Sequence, residues 1–105
     1  MKILFAVLAL CSMSVFAADS EVMVVIRDHK FDPAEIRVPS GQKVKLIVHN
    51  QDATPEEFES HELNREKVIA PGTKVNIYIG PLKPGRYSFF DEFHTELPAG
   101  VIEAR

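Results

Sequence analysis

Cysteine and tryptophan are the scarcest residues of this 105-residue chain, which has one cysteine and no tryptophan. The one cysteine, Cys11, lies in an apolar stretch near the N-terminus, so residues 18–105 contain no thiol. This absence excludes a disulfide-stapled fold, although an exported compartment would permit disulfides. It also excludes any metal site that needs a thiolate ligand. The fold must therefore be stabilised by an ordinary hydrophobic core, which residues 18–105 are just numerous enough to build.

Positive charge is also in short supply. Lysine and arginine total 12 against 15 aspartates and glutamates, which gives a net charge of −3, and the sequence shows no basic face. Nucleic acid is therefore not expected as a partner. The acids are concentrated at residues 52–66, which contain six carboxylates and one arginine, and at residues 91–96. Such an acidic field would attract cations or a basic partner surface.

The chain has no long apolar run. Residues 3–10 are apolar, but the run is too short to span a bilayer. It follows the positive Lys2 and precedes a small-residue cleavage site at Ala17, an arrangement typical of a secretory signal peptide. We therefore expect a signal peptide over residues 1–17, export to the periplasm, and a single domain over residues 18–105.

The chain is instead rich in short stretches that alternate polar and apolar residues. They are separated by proline- and glycine-containing turns, and no long helical pattern interrupts them. The pattern predicts an all-β fold, a single antiparallel Greek-key sandwich or barrel of about seven strands, with one possible helical turn at residues 61–66. The predicted strands are residues 21–27, 35–38, 43–49, 56–60, 73–79, 87–89 and 101–102.

Two polar side chains follow the strand that contains Phe89. Asp91 and His94 lie three residues apart in a short loop. If the loop makes one turn, the carboxylate and the imidazole point the same way and can reach one ion. The spacing therefore predicts both as metal ligands. We interpret His29 as a turn residue between two strands, and His49 as a surface residue at the end of a strand.

A further carboxylate ligand is predicted in the acidic segment that begins at Glu56. Side chains alternate along a strand, so Glu57 and Glu59 lie on one side and Glu56 lies on the other. The three glutamates therefore cannot all bind one ion from a regular strand. Either Glu56 or Glu57 is the candidate ligand, while Glu59 and the nearby His61 are weaker candidates.

Residues 85–94 follow the pattern Gly-x-Tyr-x-Phe-x-Asp-x-x-His and are followed by Gly100. This stretch resembles the last strand and metal loop of a cupredoxin. Residues 31–41, with the sequence FDPAEIRVPSG, resemble the second-strand signature of small bacterial cupredoxin-like domains. The resemblance covers nearly all of residues 18–105 and implies a sandwich of the cupredoxin type.

The ligand set departs from that of a blue-copper cupredoxin. The resemblance implies that Cys would stand at Asp91 and Met at Pro98 in such a protein, while His94 is retained. A blue-copper centre needs a thiolate, so none is expected here. The same resemblance places the first copper ligand after Pro55 and therefore favours Glu56 over Glu57.

A narrower resemblance involves residues 55–60, 63–69 and 80–82, which are similar to EfeO-type cupredoxin-like proteins. That group includes the FtrB component of bacterial ferrous-iron permease systems. The resemblance implies a role in ferrous-iron uptake, with an inner-membrane iron permease or a periplasmic copper-binding protein as partner. It also implies iron (Fe2+/Fe3+) or copper (Cu2+) as the bound metal, and it leaves a ferroxidase activity open.

Oxygen-rich sites that include an imidazole suit Fe(II), Fe(III), Mn(II) or Cu(II) rather than Cu(I). Each carboxylate favours Fe(III) over Fe(II) by on the order of 4 kcal/mol at ~4 Å and an effective dielectric near 20, before desolvation. The leading hypothesis is therefore oxidation of Fe(II) in an uptake system. Two alternatives remain: a non-redox carrier of Cu(II) or another divalent metal, and a metal-free adaptor whose acidic face docks to a transporter.

Overall fold

The computed structural model describes residues 20–105, which form nine strands and one short 3-10 helix. The expected signal peptide over residues 1–17 lies outside the described residues. Among the described residues, no helix is long and apolar enough to cross a membrane. The elements are β1 (Ser20–Arg27), β2 (Lys30–Asp32), β3 (Glu35–Val38), β4 (Val44–Asn50), β5 (Glu56–Ser60), β6 (Arg65–Ile69), β7 (Lys74–Ile79), β8 (Gly85–Phe89), the 3-10 helix (Glu92–His94) and β9 (Gly100–Ala104).

The strands form two sheets and a separate hairpin, so the predicted all-β sandwich is confirmed. One sheet has the order β2-β1-β4-β7 and the other has the order β3-β9-β8, while β5 and β6 form the hairpin. The backbones of Glu59 and Phe90 exchange two hydrogen bonds of 2.9 and 2.8 Å. This pairing fixes the hairpin beside the end of β8, next to the 3-10 helix.

The two strands beyond the predicted seven are β2 and β6. The helical turn expected at residues 61–66 is wrong, because the chain reverses direction there within four residues. The Asn64 N–H donates to the His61 carbonyl at 3.1 Å, and Asn64 adopts a left-handed conformation with φ of 53°. Arg65 can therefore begin a strand that returns along β5.

Two strand pairs are parallel, which corrects the antiparallel expectation. They are β1 with β4 and β3 with β9. Polar–apolar alternation reveals a strand but carries no information about its direction. The consequence is that Ile26 pairs with Asn50, so β1 and β4 end at the same edge of the sheet. The turn after β1 and the loop after β4 therefore meet.

The core lies between the sheets and is filled by the apolar faces of the strands. Val24, Leu46 and Val48 have no exposed surface. Phe58 and Phe89 are also fully buried, and their rings stack with centroids 5.0 Å apart. Full burial of each such side chain contributes about 1.5–3 kcal/mol to the stability of the folded chain. This core holds β5, which carries Glu56, and β8, which leads into the 3-10 helix.

Candidate metal centre

Three potential ligands converge where β5, the 3-10 helix and the β1–β2 turn meet. His29, Glu56 and His94 each present a ligand atom within 4.8 Å of the other two. Nδ1 of His29 lies 2.6 Å from Oε1 of Glu56, and Nε2 of His94 lies 3.4 Å from Oε2 of Glu56. The two imidazole rings stack with their centroids 3.8 Å apart. The carboxylate thus faces both imidazoles.

The position of His29 depends on an unusual turn. Asp28 and His29 both adopt left-handed conformations, with φ of 52° and 64°. Their N–H groups donate to the two carboxylate oxygens of Asp52, at 2.8 and 2.9 Å. Consecutive left-handed residues other than glycine are unfavourable, so the Asp52 carboxylate stabilises a conformation that the turn would otherwise avoid. Asp52 thereby holds the His29 backbone beside Glu56.

Asn50 organises the loop that carries Asp52. The Asn50 side chain is fully buried, and its Nδ2 donates to the carbonyls of Thr54 and Ile69 at 2.8 and 3.0 Å. Its Oδ1 accepts a hydrogen bond of 2.9 Å from the Asp52 N–H. The Thr54 hydroxyl then donates to Oε1 of Glu56 at 2.9 Å. One hydrogen-bond network therefore positions Asp52 and Glu56 together.

Asp91 fixes the start of the 3-10 helix. Its Oδ1 accepts hydrogen bonds from the N–H of Phe93 at 2.9 Å and from the N–H of Glu57 at 3.2 Å. The His94 N–H donates to the Asp91 carbonyl at 3.0 Å, so the imidazole follows one tight turn later. Oδ2 of Asp91 is buried without a hydrogen-bond partner. Asp91 therefore ties β5 to the helix and keeps one oxygen free.

The electrostatics of the site centre on the fully buried Glu56. Burial raises the pKa of this carboxyl, the neighbouring Asp91 carboxylate raises it further, and hydrogen bonds from His29 and Thr54 oppose the shift. The hydrogen bond to Glu56 in turn raises the pKa of His29. The side chains of His29 and His94 are 39% and 23% exposed. The site thus has a buried carboxyl group at its base and two imidazoles that reach solvent.

This donor set fits a metal ion that prefers nitrogen and oxygen. Ligand bonds of about 2.0–2.2 Å place neighbouring donor atoms about 3–4 Å apart, and the 3.4 Å contact between Glu56 and His94 lies in that range. The 2.6 Å contact between Glu56 and His29 is a hydrogen bond, which a bound ion would replace. Oε2 of Glu56 is buried and has no hydrogen-bond partner, as expected for an unshared ligand atom. Residues 20–105 contain no cysteine, and Met23 lies on β1 with 48% of its surface exposed. Sulfur ligation of the blue-copper kind therefore does not fit.

The sequence matches the Cupredoxin-like domain family over residues 1–103. The chain belongs to this family. The uncharacterized protein RP394 of Rickettsia prowazekii (strain Madrid E) is 50% identical to it over 82 residues. The alignment covers 78% of this cupredoxin-like chain and 66% of that protein, just under two thirds of its length.

Two solved structures of copper-binding proteins share the fold. Auracyanin A, a "blue" copper protein from Chloroflexus aurantiacus, matches with a TM-score of 0.71 at 13% identity, over 84% of this chain and 100% of its own. The metal-binding domain of the Cu(I)-exporting P-type ATPase CopA of Streptococcus pneumoniae D39, determined with Cu(I), matches with a TM-score of 0.69 at 16% identity. That match covers 81% of this chain and 84% of the domain. At these identities the likeness establishes the cupredoxin fold alone.

The structure separates the predicted ligands into two groups. Glu56 and His94 lie together, and Asp91 lies beside Glu56 without joining the group of three ligand atoms within 4.8 Å. Glu57 and Glu59 face the other side of β5, away from His94, as strand alternation requires. One ion therefore cannot be shared by all the predicted side chains. His61 is 78% exposed, and within residues 20–105 its ion-pair contact is with Glu59, at 3.8 Å.

His29 was not predicted as a ligand, because its neighbours come from distant parts of the sequence. Its side-chain partner Glu56 is 27 residues away, and its backbone partner Asp52 is 23 residues away. Only the parallel pairing of β1 with β4 brings them together. A histidine followed by Lys-Phe-Asp in a turn gives no indication of this contact. The sequence does offer one indication of the turn: Asp28 and His29 are adjacent, and both residue types are enriched among left-handed residues.

Proposed function

We propose that this protein is an exported cupredoxin-like metal-binding protein that takes up Fe(II) and oxidises it as part of a ferrous-iron uptake system. The observation that carries the proposal is the convergence of His29 and His94 on the buried carboxylate of Glu56. Two histidines and one carboxylate with open coordination positions are the ligand set of many non-haem Fe(II) sites. The partial exposure of both imidazoles leaves a path for the ion to enter and leave.

The oxidation transfers one electron from Fe(II) to an acceptor and leaves Fe(III). We assign the acceptor to a copper(II) centre of a periplasmic partner protein, which becomes copper(I). The carboxylate of Glu56 stabilises the product more than the substrate, because the higher charge of Fe(III) gains more from an anionic oxygen. The adjacent carboxylate of Asp91 acts in the same direction. The imidazoles of His29 and His94 hold the ion at the solvent edge of the site.

The likeness of residues 55–60, 63–69 and 80–82 to EfeO-type proteins and FtrB supports the iron assignment. On this proposal the protein works beside an inner-membrane iron permease, which receives the Fe(III). Export by the predicted signal peptide would place the protein in the periplasm, where both partners are accessible. Ligation requires deprotonated side chains, so binding should weaken at low pH.

A carrier of Cu(II) or another divalent metal is the second candidate function. Two imidazoles and a carboxylate also suit Cu(II), which binds nitrogen and oxygen ligands tightly. In that case the ion would be handed to a partner without a change of oxidation state. A metal-free adaptor, docked through its acidic face, would instead bind no ion stoichiometrically.

Fe(III) formation under anaerobic conditions, with a Cu(II) protein as electron acceptor, tests the proposal. We expect the protein to accelerate the reaction, and we expect His29→Ala and His94→Ala to reduce that acceleration at least about tenfold, since each removes one ligand. His49→Ala, at a histidine that is not part of the group of three ligands, should leave it unchanged. Stoichiometric metal binding without acceleration would favour the carrier. Absence of Fe(II) and Cu(II) binding in calorimetry would favour the adaptor.

A further inference from the structure

The outer face of β5 carries a second group of carboxylates. Glu57 and Glu59 project from β5, Glu66 lies opposite Glu59 on β6, and Glu92 belongs to the 3-10 helix. One carboxylate oxygen from each of the four side chains lies within 4.8 Å of the others. We call these four residues the four-glutamate cluster.

Two members of the four-glutamate cluster are buried more deeply than ordinary surface acids. Glu57 is 2% exposed and Glu59 is 9% exposed. Oε1 of Glu57 and Oε2 of Glu59 are buried without a hydrogen-bond partner, and both side chains lie within the cluster. Burial of a carboxylate without a compensating charge is strongly unfavourable. The unpartnered oxygens therefore indicate that a positive charge belongs between the glutamates.

The protein supplies little of that charge itself. Among the ion pairs formed by residues 20–105, only one reaches the four-glutamate cluster, the contact between His61 Nδ1 and Glu59 Oε1 at 3.8 Å. His61 is 78% exposed, so water screens this contact. No lysine or arginine of the described chain forms an ion pair with the four glutamates.

We propose that the four-glutamate cluster is a second cation site, which binds a hard multivalent ion through carboxylate oxygens alone. Hard cations such as Ca2+, Mg2+ and Mn2+ prefer oxygen ligands, and imidazole or sulfur would be needed to favour softer ions. The accumulation of carboxylates favours an ion of higher charge over a monovalent one. The hairpin and the helix together supply ligands from three elements, which surround the ion from different directions.

The second site shares its scaffold with the His29–Glu56–His94 site but shares no ligand with it. Glu56 and Glu57 are consecutive residues of β5, so their side chains lie on opposite faces of the strand. Glu92 precedes His94 in the same helix. The four-glutamate cluster can therefore bind an ion whether or not the first site does, and the two proposals can fail separately.

Titration of the protein with Tb3+, a redox-inert ion that prefers oxygen ligands, tests the proposal by calorimetry. We expect one Tb3+ per chain to bind in the four-glutamate cluster. The double variant Glu66→Gln/Glu92→Gln removes two ligands that are exposed, so the fold should be retained, which circular dichroism checks. Its Tb3+ affinity should fall at least about tenfold, since calcium-like sites depend strongly on carboxylate number.

Two further variants identify the site. Glu21→Gln/Glu35→Gln changes the net charge by the same amount at exposed positions outside the cluster, and its affinity should stay within about twofold of the unmodified protein. His29→Ala/His94→Ala should also retain Tb3+ binding. Equal affinities of the cluster variant and the charge-matched control would overturn the proposal. So would absence of stoichiometric Tb3+ binding, or its loss in the histidine variant.

Discussion

Glu56 is the side chain on which the candidate metal centre depends most. It has no exposed surface, yet its two oxygens face the imidazoles of His29 and His94 at 2.6 and 3.4 Å. Burial and the Asp91 carboxylate both raise its pKa, so the environment in the metal-free protein disfavours the ionised form. A bound cation would relieve that opposition. The hydrogen bond from Thr54 keeps the carboxylate in place for it.

Asp52 is not in the group of three ligands but holds the backbone of His29, which is. Its replacement therefore tests the effect of positioning the ligand without removing a ligand. Asp52→Ala removes the acceptor for the N–H groups of Asp28 and His29. We expect Cu(II) affinity to fall about tenfold and the free energy of unfolding to fall by about 1–3 kcal/mol, because hydrogen bonds to a charged acceptor are lost. Calorimetry and urea unfolding measure the two effects. Glu21→Ala, at an exposed carboxylate on β1, is the control. If Asp52→Ala bound Cu(II) as tightly as the unmodified protein, the turn at Asp28 and His29 would keep its shape without the Asp52 carboxylate.

For single residues of the candidate site, the sequence predicted the features that depend on contacts between near neighbours in the chain. Strand alternation separated Glu56 from Glu57, because adjacent side chains must face opposite ways. The three-residue spacing drew attention to Asp91 and His94, although it did not show that Asp91 would cap the helix. His29 could not be recognised, since its role depends on a left-handed turn and on partners 23 and 27 residues away.

At the scale of the elements, β9 must approach β8 closely to close the second sheet. Gly100 pairs with Phe89, and a Cβ added at Gly100 would overlap the Phe89 ring. That ring is fully buried and stacked on Phe58, so it has no room to move. We expect Gly100→Ala to lower the free energy of unfolding by about 1–3 kcal/mol, the usual cost of overpacking. Urea unfolding provides the measurement.

Gly85→Ala is the matched control for Gly100→Ala. Gly85 is at the other end of β8, and the nearest atom to an added Cβ there is Cε2 of Tyr87, at an ordinary contact distance of 3.7 Å. This variant should change stability by less than about 1 kcal/mol. If the two variants were equally stable, close packing of Gly100 on Phe89 could not be what closes the sheet.

The strands themselves followed from the sequence, but their directions did not. Residues 43–49 and 73–79 were predicted close to their observed positions in β4 and β7, because their alternation is regular. The parallel pairing of β1 with β4 left no trace in that alternation, since it arises from the crossing of the chain between sheets. This pairing is what brings the loop after Asn50 to His29. The contact between His29 and Glu56 therefore could not be predicted from the sequence patterns of single strands.

At the scale of the whole molecule, buried carboxylates should make the metal-free protein less stable as the pH rises. Burial, followed by the nearby Glu66, raises the pKa of Glu57 from 4.5 to about 7. At a pH between these two pKa values, Glu57 has lost its proton in the unfolded chain but still holds it in the folded chain. Unfolding therefore becomes more favourable as the pH increases. The raised pKa of His29 acts in the same direction, because its stabilising contribution is lost as the pH rises through that pKa. Carboxyls with a lowered pKa, such as that of Asp52, affect the free energy of unfolding at lower pH.

Urea unfolding in the presence of a chelator measures this dependence. We expect the free energy of unfolding to be lower at pH 8 than at pH 5, with Glu57 contributing on the order of 1–3 kcal/mol. Glu57→Gln should flatten much of the dependence, whereas Glu35→Gln, at an exposed position, should leave it unchanged. A free energy of unfolding that increases from pH 5 to pH 8 would contradict the assignment of a raised pKa to Glu57.

The cupredoxin frame was predictable from the whole sequence, whereas the metal was not. Strand spacing predicted a sandwich, and the resemblance of residues 85–94 to the last strand and metal loop of a cupredoxin implied its type. The metal depends on which donor atoms meet, and that depends on turns whose conformation the sequence does not display. The resemblance implied that Asp91 stands where a blue-copper protein has cysteine, and hence a harder site. The observed imidazole pair makes the candidate site richer in nitrogen than that expectation.

The most direct test of the central claim is electron paramagnetic resonance of the protein with one equivalent of Cu(II). If His29, Glu56 and His94 bind one ion, the spectrum shows coupling to two imidazole nitrogens, and His29→Ala leaves coupling to one, while the control His49→Ala keeps both. A spectrum without imidazole coupling, or one that His29→Ala does not change, would contradict the account.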